Sequence, residues 1–266
     1  MSGGPHWWGR FHVPLHGAAR WQIGPLHLVV RRQPWAWSFS THAAGPWDAD
    51  HLEVATPLDP QTPDPQGSTV SRFSFGETLD PLELEPRLPD RTVVASPAAQ
   101  MGVMPGEDCR AFVSVPLWVC LRVGTDRKPA MELPIKRPPD TWLGPSPMHG
   151  QLCYGSRAPL QLEVDRLPHH PHRAIVPLRL RNEGLGTFRL ERIRMPVPQL
   201  PLLLAADGRL WTPPVAVNIE RSGAVAVELS AAPPIEAGPC AALSPAREEG
   251  RGLGRVMHSL VAMFGR

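Results

Sequence analysis

Apolar and polar residues alternate with period two along most of this chain, the pattern of strands that bury one face. Trp21, Ile23, Leu26, Leu28 and Val30 form a first series, interrupted at Gly24-Pro25 as by a bulge. Trp35, Trp37 and Phe39 place three aromatics on one face of a following strand. Strand character returns at Val70–Phe75, at Leu82 and Leu84, and at Thr92–Ala95. The longest run lies between Arg110 and Val123. Val113, Val115, Leu117, Val119, Leu121 and Val123 share one side, and Phe112, Trp118 and Cys120 share the other. Apolar groups on both faces predict a central strand, with Pro116 removing one ladder donor. Shorter series follow at Leu160–Val164, Val176–Leu180, Phe188–Ile193, Leu200–Ala205, Leu210–Thr212, Val215–Ile219 and Val225–Leu229.

These patterns predict a mainly β protein with two antiparallel β-sandwich or barrel-like domains, residues 1–135 and 158–236, the second immunoglobulin-like. Residues 136–157 break the alternation and read as an inter-domain loop. The proline-rich stretch 55–69 reads as an exposed, mobile loop. Residues 237–266 form a tail of different character. There Leu253, Met257, Leu260, Val261 and Phe264 fall on one helical face, and Arg251, Arg255 and Arg266 carry charge with no acid from 250 onward. A short C-terminal amphipathic helix over about 255–264 is expected.

Composition supports short strands with long connections, because 34 of 266 residues are proline. A formal charge of +2 gives no general attraction to nucleic acid or membrane. Only Lys128 and Lys136 are lysines among the 27 basic residues. Arginine favours bidentate contacts, so ion-pair networks could explain the excess, as could a GC-rich coding sequence. Cysteines at 109, 120, 153 and 240 have no regular spacing and signal neither a zinc site nor a disulfide framework. Free thiols, an N-terminus without a signal-peptide core and no long apolar stretch together point to the cytoplasm, with no transmembrane segment.

Candidate chemistry concentrates in Asp140–Arg157. Asp140, Thr141, Trp142, His149, Cys153, Tyr154 and Arg157 make a candidate ligand or partner site. His149 and Cys153, in a helix or tight turn, could form a thiolate–imidazole pair, although nothing nearby supplies an orienting third group. The alternative is a connector whose Trp142 and Tyr154 plug two cores. His169-His170-Pro171-His172 brings two imidazoles to one side, which does not close a metal site, and a surface loop is the simpler account. The tryptophans could form a sugar-binding platform or, more simply, pack the cores. Arg255, Met257, Leu260, Val261 and Phe264 could dock on a partner or a membrane, or pack on their own domain. Phosphate-binding, dinucleotide, nucleophile-elbow and zinc-protease motifs are all missing, so no catalytic residue, metal or cofactor is assigned.

Several stretches resemble an uncharacterised prokaryotic (archaeal and bacterial) domain-of-unknown-function family. They are Trp21–Leu28, Leu88–Val94, Pro116–Val119, Asp140–Ser146 with Gln151–Arg157, His172–Ala174, Glu191–Pro198 and Gly208–Thr212. The resemblance implies a shared fold and carries over no activity or catalytic residue. The reading is a non-enzymatic cytoplasmic interaction or accessory protein. Its partner is expected to be a protein, possible membrane partners included, reached through the tail at the inner membrane face; nucleic acid is not expected. The alternatives are a ligand- or carbohydrate-binding β module and an enzyme centred on Asp140–Arg157.

Overall fold

Proline-rich sequence should yield many short strands rather than few long ones, and it does. The computed structural model describes residues 6–97, 100–124, 129–146, 148–156 and 158–248. Arg157 and the helix expected over 255–264 lie outside them. Strands run in chain order as β1 (Gly9–Phe11), β2 (Ala18–Ile23), β3 (Leu26–Gln33), β4 (Ala36–Ala43), β5 (Leu52–Leu58), β6 (Thr69–Ser74) and β7 (Leu82–Arg87). Next come β8 (Val93–Ala95), β9 (Met101–Val103), β10 (Asp108–Pro116), β11 (Trp118–Val123), β12 (Met131–Pro134), β13 (Asp140–Ser146) and β14 (His149–Gly155). The last are β15 (Arg173–Asn182), β16 (Phe188–Leu190), β17 (Ile193–Met195), β18 (Leu202–Ala205), β19 (Leu210–Trp211), β20 (Val215–Ile219), β21 (Val225–Leu229) and β22 (Cys240–Ser244). The chain is mainly β and divides into two units, neither a single run of sequence.

The first unit comprises the chain to residue 87, residues 117–137 and residues 170–172. It holds a five-stranded antiparallel sheet, β5-β2-β3-β4-β6, and a four-stranded one, β1-β7-β11-β12. Trp21 lies opposite Leu28, and Val30 opposite Phe39, so these four share one face with Trp37, and all five are fully buried. Phe11 of the smaller sheet meets Trp21 edge-on at 5.3 Å, which brings the two sheets together over this core. Gly24-Pro25, expected as a bulge, is instead the turn joining β2 to β3. Gly24 has φ 54°, and a Cβ there would lie 2.7 Å from the Ala49 carbonyl and from the His172 ring. Trp35 is not a core residue: it sits in the turn before β4 and is 66% exposed.

Two adjacent arginines on β3 organise the loops of this unit. Arg32 is mostly buried and donates to Asp80 Oδ2 at 2.5 Å, to Thr78 O at 2.6 Å and to Val13 O at 3.1 Å. Its guanidinium also lies 5.5 Å from the centroid of the Trp37 ring. Arg31, facing the other way, donates to Asp64 Oδ1 at 2.7 Å, Thr62 O at 2.6 Å and Pro60 O at 3.1 Å. The stretch expected as a mobile loop therefore begins as strand β5 and continues as a segment held at three points by one guanidinium.

The second unit comprises residues 88–116, 138–169 and 173 onward. Its seven-stranded sheet follows the path β21-β20-β15-β19-β18-β22, with β10 also on β15. Strand β10 occupies one edge of β15 from Arg173 to Arg181, so β19 and β20 must share the other edge, both parallel to β15. They are one line of chain broken at Thr212–Pro214, where Pro213 and Pro214 offer no N–H to a ladder. Before the break the line pairs with β18, and after it with β21. The unit also holds the sheet β13-β14-β8-β17 and the pair β9–β16.

Three expectations need correction. The pairs β14–β8, β15–β19 and β15–β20 are parallel, so the second unit is mixed rather than antiparallel, and β15 draws its β10 partner from outside the stretch expected to be immunoglobulin-like. Residues 140–155 are a β-hairpin rather than a loop. The long run from Arg110 to Val123 is two strands belonging to different units. Strand β10 ends at Pro116, and Leu117 leaves its ladder to donate to His172 O at 3.0 Å.

Replacing Arg32 by Met should destabilise the first unit by about 3 kcal/mol, because it leaves a mostly buried carboxylate with His12 as its remaining ionic partner and takes a donor from two carbonyls. Arg32→Lys should recover little of that loss, since an ammonium cannot span the same acceptors. Urea unfolding followed by tryptophan fluorescence measures both; midpoints equal to the wild type would refute the assignment.

Candidate functional site

The hairpin β13–β14 carries the sequence-predicted residues, and its two faces differ. Cross-strand pairs are Asp140 with Tyr154, Trp142 with Leu152, Thr141 with Cys153 and Leu143 with Gln151. Directly opposed residues share a face, so Asp140, Trp142, Leu152 and Tyr154 lie on one side and Thr141, Leu143, Gln151 and Cys153 on the other.

On the Cys153 side the thiol is fully buried in a small apolar cluster with Val94 and Leu143. Arg192 donates to Thr141 Oγ1 at 2.8 Å, and Arg194 donates to Gln151 Oε1 at 2.9 Å. Burial pushes the Cys153 thiol above its ordinary value although both arginines pull it down. This is the chemistry of a packed thiol rather than an activated nucleophile. Nor does His149 reach it. Both residues lie in β14, four positions apart, which at a strand's rise is about 13 Å, so the proposed thiolate–imidazole pair does not form.

On the opposite side, Tyr154 is buried and donates its hydroxyl to Asp90 Oδ1 at 3.0 Å. The Arg91 guanidinium lies 5.3 Å from the centroid of the Tyr154 ring and 3.4 Å from Asp140 Oδ1. The structure thus brings Asp140 and Tyr154 together through Asp90 and Arg91. The sequence reading did not single out these two residues as site residues, although both lie in the stretch Leu88–Val94 quoted for the family resemblance. Arg192 and Arg194 lie in another such stretch. Three separated segments converge on the single sheet β13-β14-β8-β17.

Beyond this anchored base, apolar side chains of the hairpin are open to solvent. Trp142 is 41% exposed, Leu152 42% and Met148, at the turn, 86%. The Trp142 ring lies against Gly150, where an added Cβ would come within 2.4 Å of Nε1. Of the remaining candidates, His170 and His172 are buried rather than on a surface loop. Their ring centroids are 5.5 Å apart, and His172 Nε2 lies 3.2 Å from Trp47 O. Among the described residues, no three His, Cys, Asp or Glu side chains gather as a metal site would require. Trp7, Trp21, Trp37 and Trp211 are fully buried, so most of the supposed sugar platform is core. The docking residues Arg255, Met257, Leu260, Val261 and Phe264 lie outside the described residues.

A feature that sequence reasoning missed is a groove of about 570 Å³ on the face of the seven-stranded sheet, lined by β10, β15, β20, β21 and residues 230–236. None of its lining comes from residues 140–156. The alternation of Pro177, Arg179 and Arg181 with buried Leu178 and Leu180 was legible as an outward face; that the chain folds back over it was not.

A model of the DUF432 family, a family of proteins of unknown function, matches residues 7–261. The chain belongs to this family. The match extends through both units, so a DUF432 domain includes the hairpin, the groove and most of the tail. No curated protein and no solved structure matches the chain. Among the described residues of this DUF432 protein, no helix is long and apolar enough to cross a membrane.

Cys120 and Cys153 are buried, whereas Cys109 and Cys240 are partly exposed. Iodoacetamide at pH 8 should therefore modify Cys109 and Cys240 first, as read by peptide mass spectrometry; early labelling of Cys153 would contradict its packed state. Burial also lifts the Cys120 thiol from 9.0 to about 11. Below pH 9 both folded and unfolded chains keep that proton, and between 9 and 11 only the unfolded chain releases it. Its contribution to stability is therefore full below pH 9 and lost as pH rises toward 11. Melting scans across that range should show the decline, reduced in Cys120→Ala.

Proposed function

We propose that the protein is a non-enzymatic binding protein whose partner, another protein, docks on the apolar face of the β13–β14 hairpin. The observation that carries this reading is the opposed pair Trp142 and Leu152, each about two-fifths exposed, on a ribbon tied down at its base. Tryptophan is enriched at the energetic centres of interfaces, and a preorganised backbone reduces the entropy lost on docking. Met148 extends the same apolar tip with an adaptable side chain. An enzymatic reading of the segment finds less support, because Cys153 is packed and protonated and His149 is remote from it. The cytoplasmic setting inferred from free thiols and composition remains part of the proposal.

Trp142→Ala combined with Leu152→Ser removes the contact while leaving Tyr154, Arg91 and Arg192 in place. Both side chains are substantially exposed, so stability should change by only about 1 kcal/mol. Affinity purification from the native cells should recover a specific protein with the wild type and lose it with the double variant at unchanged melting temperature. Retention of every co-purifying protein by a folded double variant would reject the hairpin as the docking site.

A further inference from the structure

The outward face of the seven-stranded sheet is covered at one end and open at the other. At the covered end Phe112, Ile175, Leu203 and Trp211 pack beneath Leu167 and Ala237. At the open end cross-strand register sets Arg110, Arg179, Ala216 and Glu228 in one row across β10, β15, β20 and β21. Residues 230–236 cross over this row, and Glu236 at their end reaches back to Arg110 at 2.8 Å. Phe112, Pro177, Pro214 and Pro233 supply apolar walls to the groove that results.

The charges of the groove do not balance. Asp108 takes Arg179 in a two-pronged contact at 2.5–3.0 Å, and Glu236 takes Arg110. Glu228 is exposed and makes no ion pair among the described residues. Three carboxylates thus face two guanidiniums along an apolar trough. An occupant that suits it has apolar side chains and a spare cationic group.

We propose that the C-terminal segment of this same chain, Gly250–Arg266, occupies the groove, with an arginine directed at Glu228. Three observations converge on this occupant rather than a foreign one. The segment pairs Leu253, Met257, Leu260, Val261 and Phe264 with Arg251, Arg255 and Arg266, and contains no acid. The described chain stops at Glu248 in the same unit as the groove, tied there by the Arg247 and Glu248 amides donating to Pro198 O. The family match runs to residue 261, so most of the segment belongs to the domain itself.

Reach is sufficient. From β22 to Ala216 is two strand spacings across the sheet and several residues along it, on the order of 20 Å. Eighteen residues span about 27 Å even if all helical. Seating the segment would remove its apolar side chains from water and pair the unmatched carboxylate. This proposal does not depend on the hairpin reading, since the two surfaces share no residue.

The test uses the full-length chain with a photoreactive benzoylphenylalanine at Ala216. Irradiation followed by peptide mapping should give an intramolecular cross-link to a peptide within 250–266. Glu228→Arg should lower its yield roughly fivefold, the scale of one exposed ion pair. Adding Arg255→Glu or Arg251→Glu to Glu228→Arg should recover it in at least one combination. Cross-links only to other parts of the chain, or only between two copies at high concentration, would overturn the assignment. So would a yield indifferent to charge reversal at Glu228 in a variant with wild-type melting. Loss of the cross-link through misfolding is distinguished by that melting measurement and by an Ala216 benzoylphenylalanine chain carrying Glu228→Gln, which should keep most of the apolar docking.

Discussion

Every proline withholds one backbone donor, and with 34 of them this chain must complete its hydrogen bonding by other means. The architecture follows from that constraint. Strand β10 stops at Pro116 and the chain passes from one unit to the other, while Pro213 and Pro214 break the line that runs beside β15 into two short strands with different partners. Proline carbonyls, which still accept, are taken by backbone amides: Gly17 donates to Pro14, Thr78 to Pro34, Gly124 to Pro81 and Gly155 to Pro139. The Trp7 indole donates to Pro171 in the same way, at 2.8 Å.

Arginine supplies many of the missing donors. A guanidinium carries five N–H groups in a rigid plane and can satisfy several loop carbonyls at once, which an ammonium on a flexible stem cannot match. Arg31 and Arg32 do this from one strand toward opposite sides. Arg173, nearly inaccessible, bonds both the hydroxyl and the carbonyl of Ser114. The near absence of lysine therefore has a structural use at these positions, whatever the coding bias that accompanies it. Composition could not separate the two explanations, because only the geometry of the acceptors distinguishes a fork from a point charge.

The exposed hairpin and the groove arise from the same economy of short strands. In the hairpin β13–β14, Arg91, Asp90 and Tyr154 anchor one face and Arg192 and Arg194 the other, while Trp142, Met148 and Leu152 stay partly exposed. The groove exists because residues 161–167 and Ala237 pack on one end of the sheet face, while at the other end residues 230–236 cross over a row of arginine, proline and alanine and leave a trough beneath them. In both places polar residues hold a framework and apolar residues are left to meet something else. Cys153, the one thiol in the hairpin, is spent on packing.

Strand content was legible in the sequence, since period-two alternation reports directly which side chains must leave water. The buried face of β2–β4, the outward arginines of β15 and the turn at Asp207-Gly208 all follow from local pattern. The form of Asp140–Arg157 was not legible: Pro145, Pro147 and three glycines hid a hairpin that also pairs with β8. Alternation could not say which sheet a strand joins, so Arg110–Val123 read as one strand when it is two. It could not show that Trp35 ends in a turn while Trp37 is buried, because both fit the same period. Asp90, Arg91 and Arg192 gave no local signal of their roles, for their partners lie 49 to 64 residues away along the chain. Burial is imposed by side-chain chemistry and so is written locally; strand pairing and long-range ion pairs are chosen among many competing partners, and only the tertiary structure decides them.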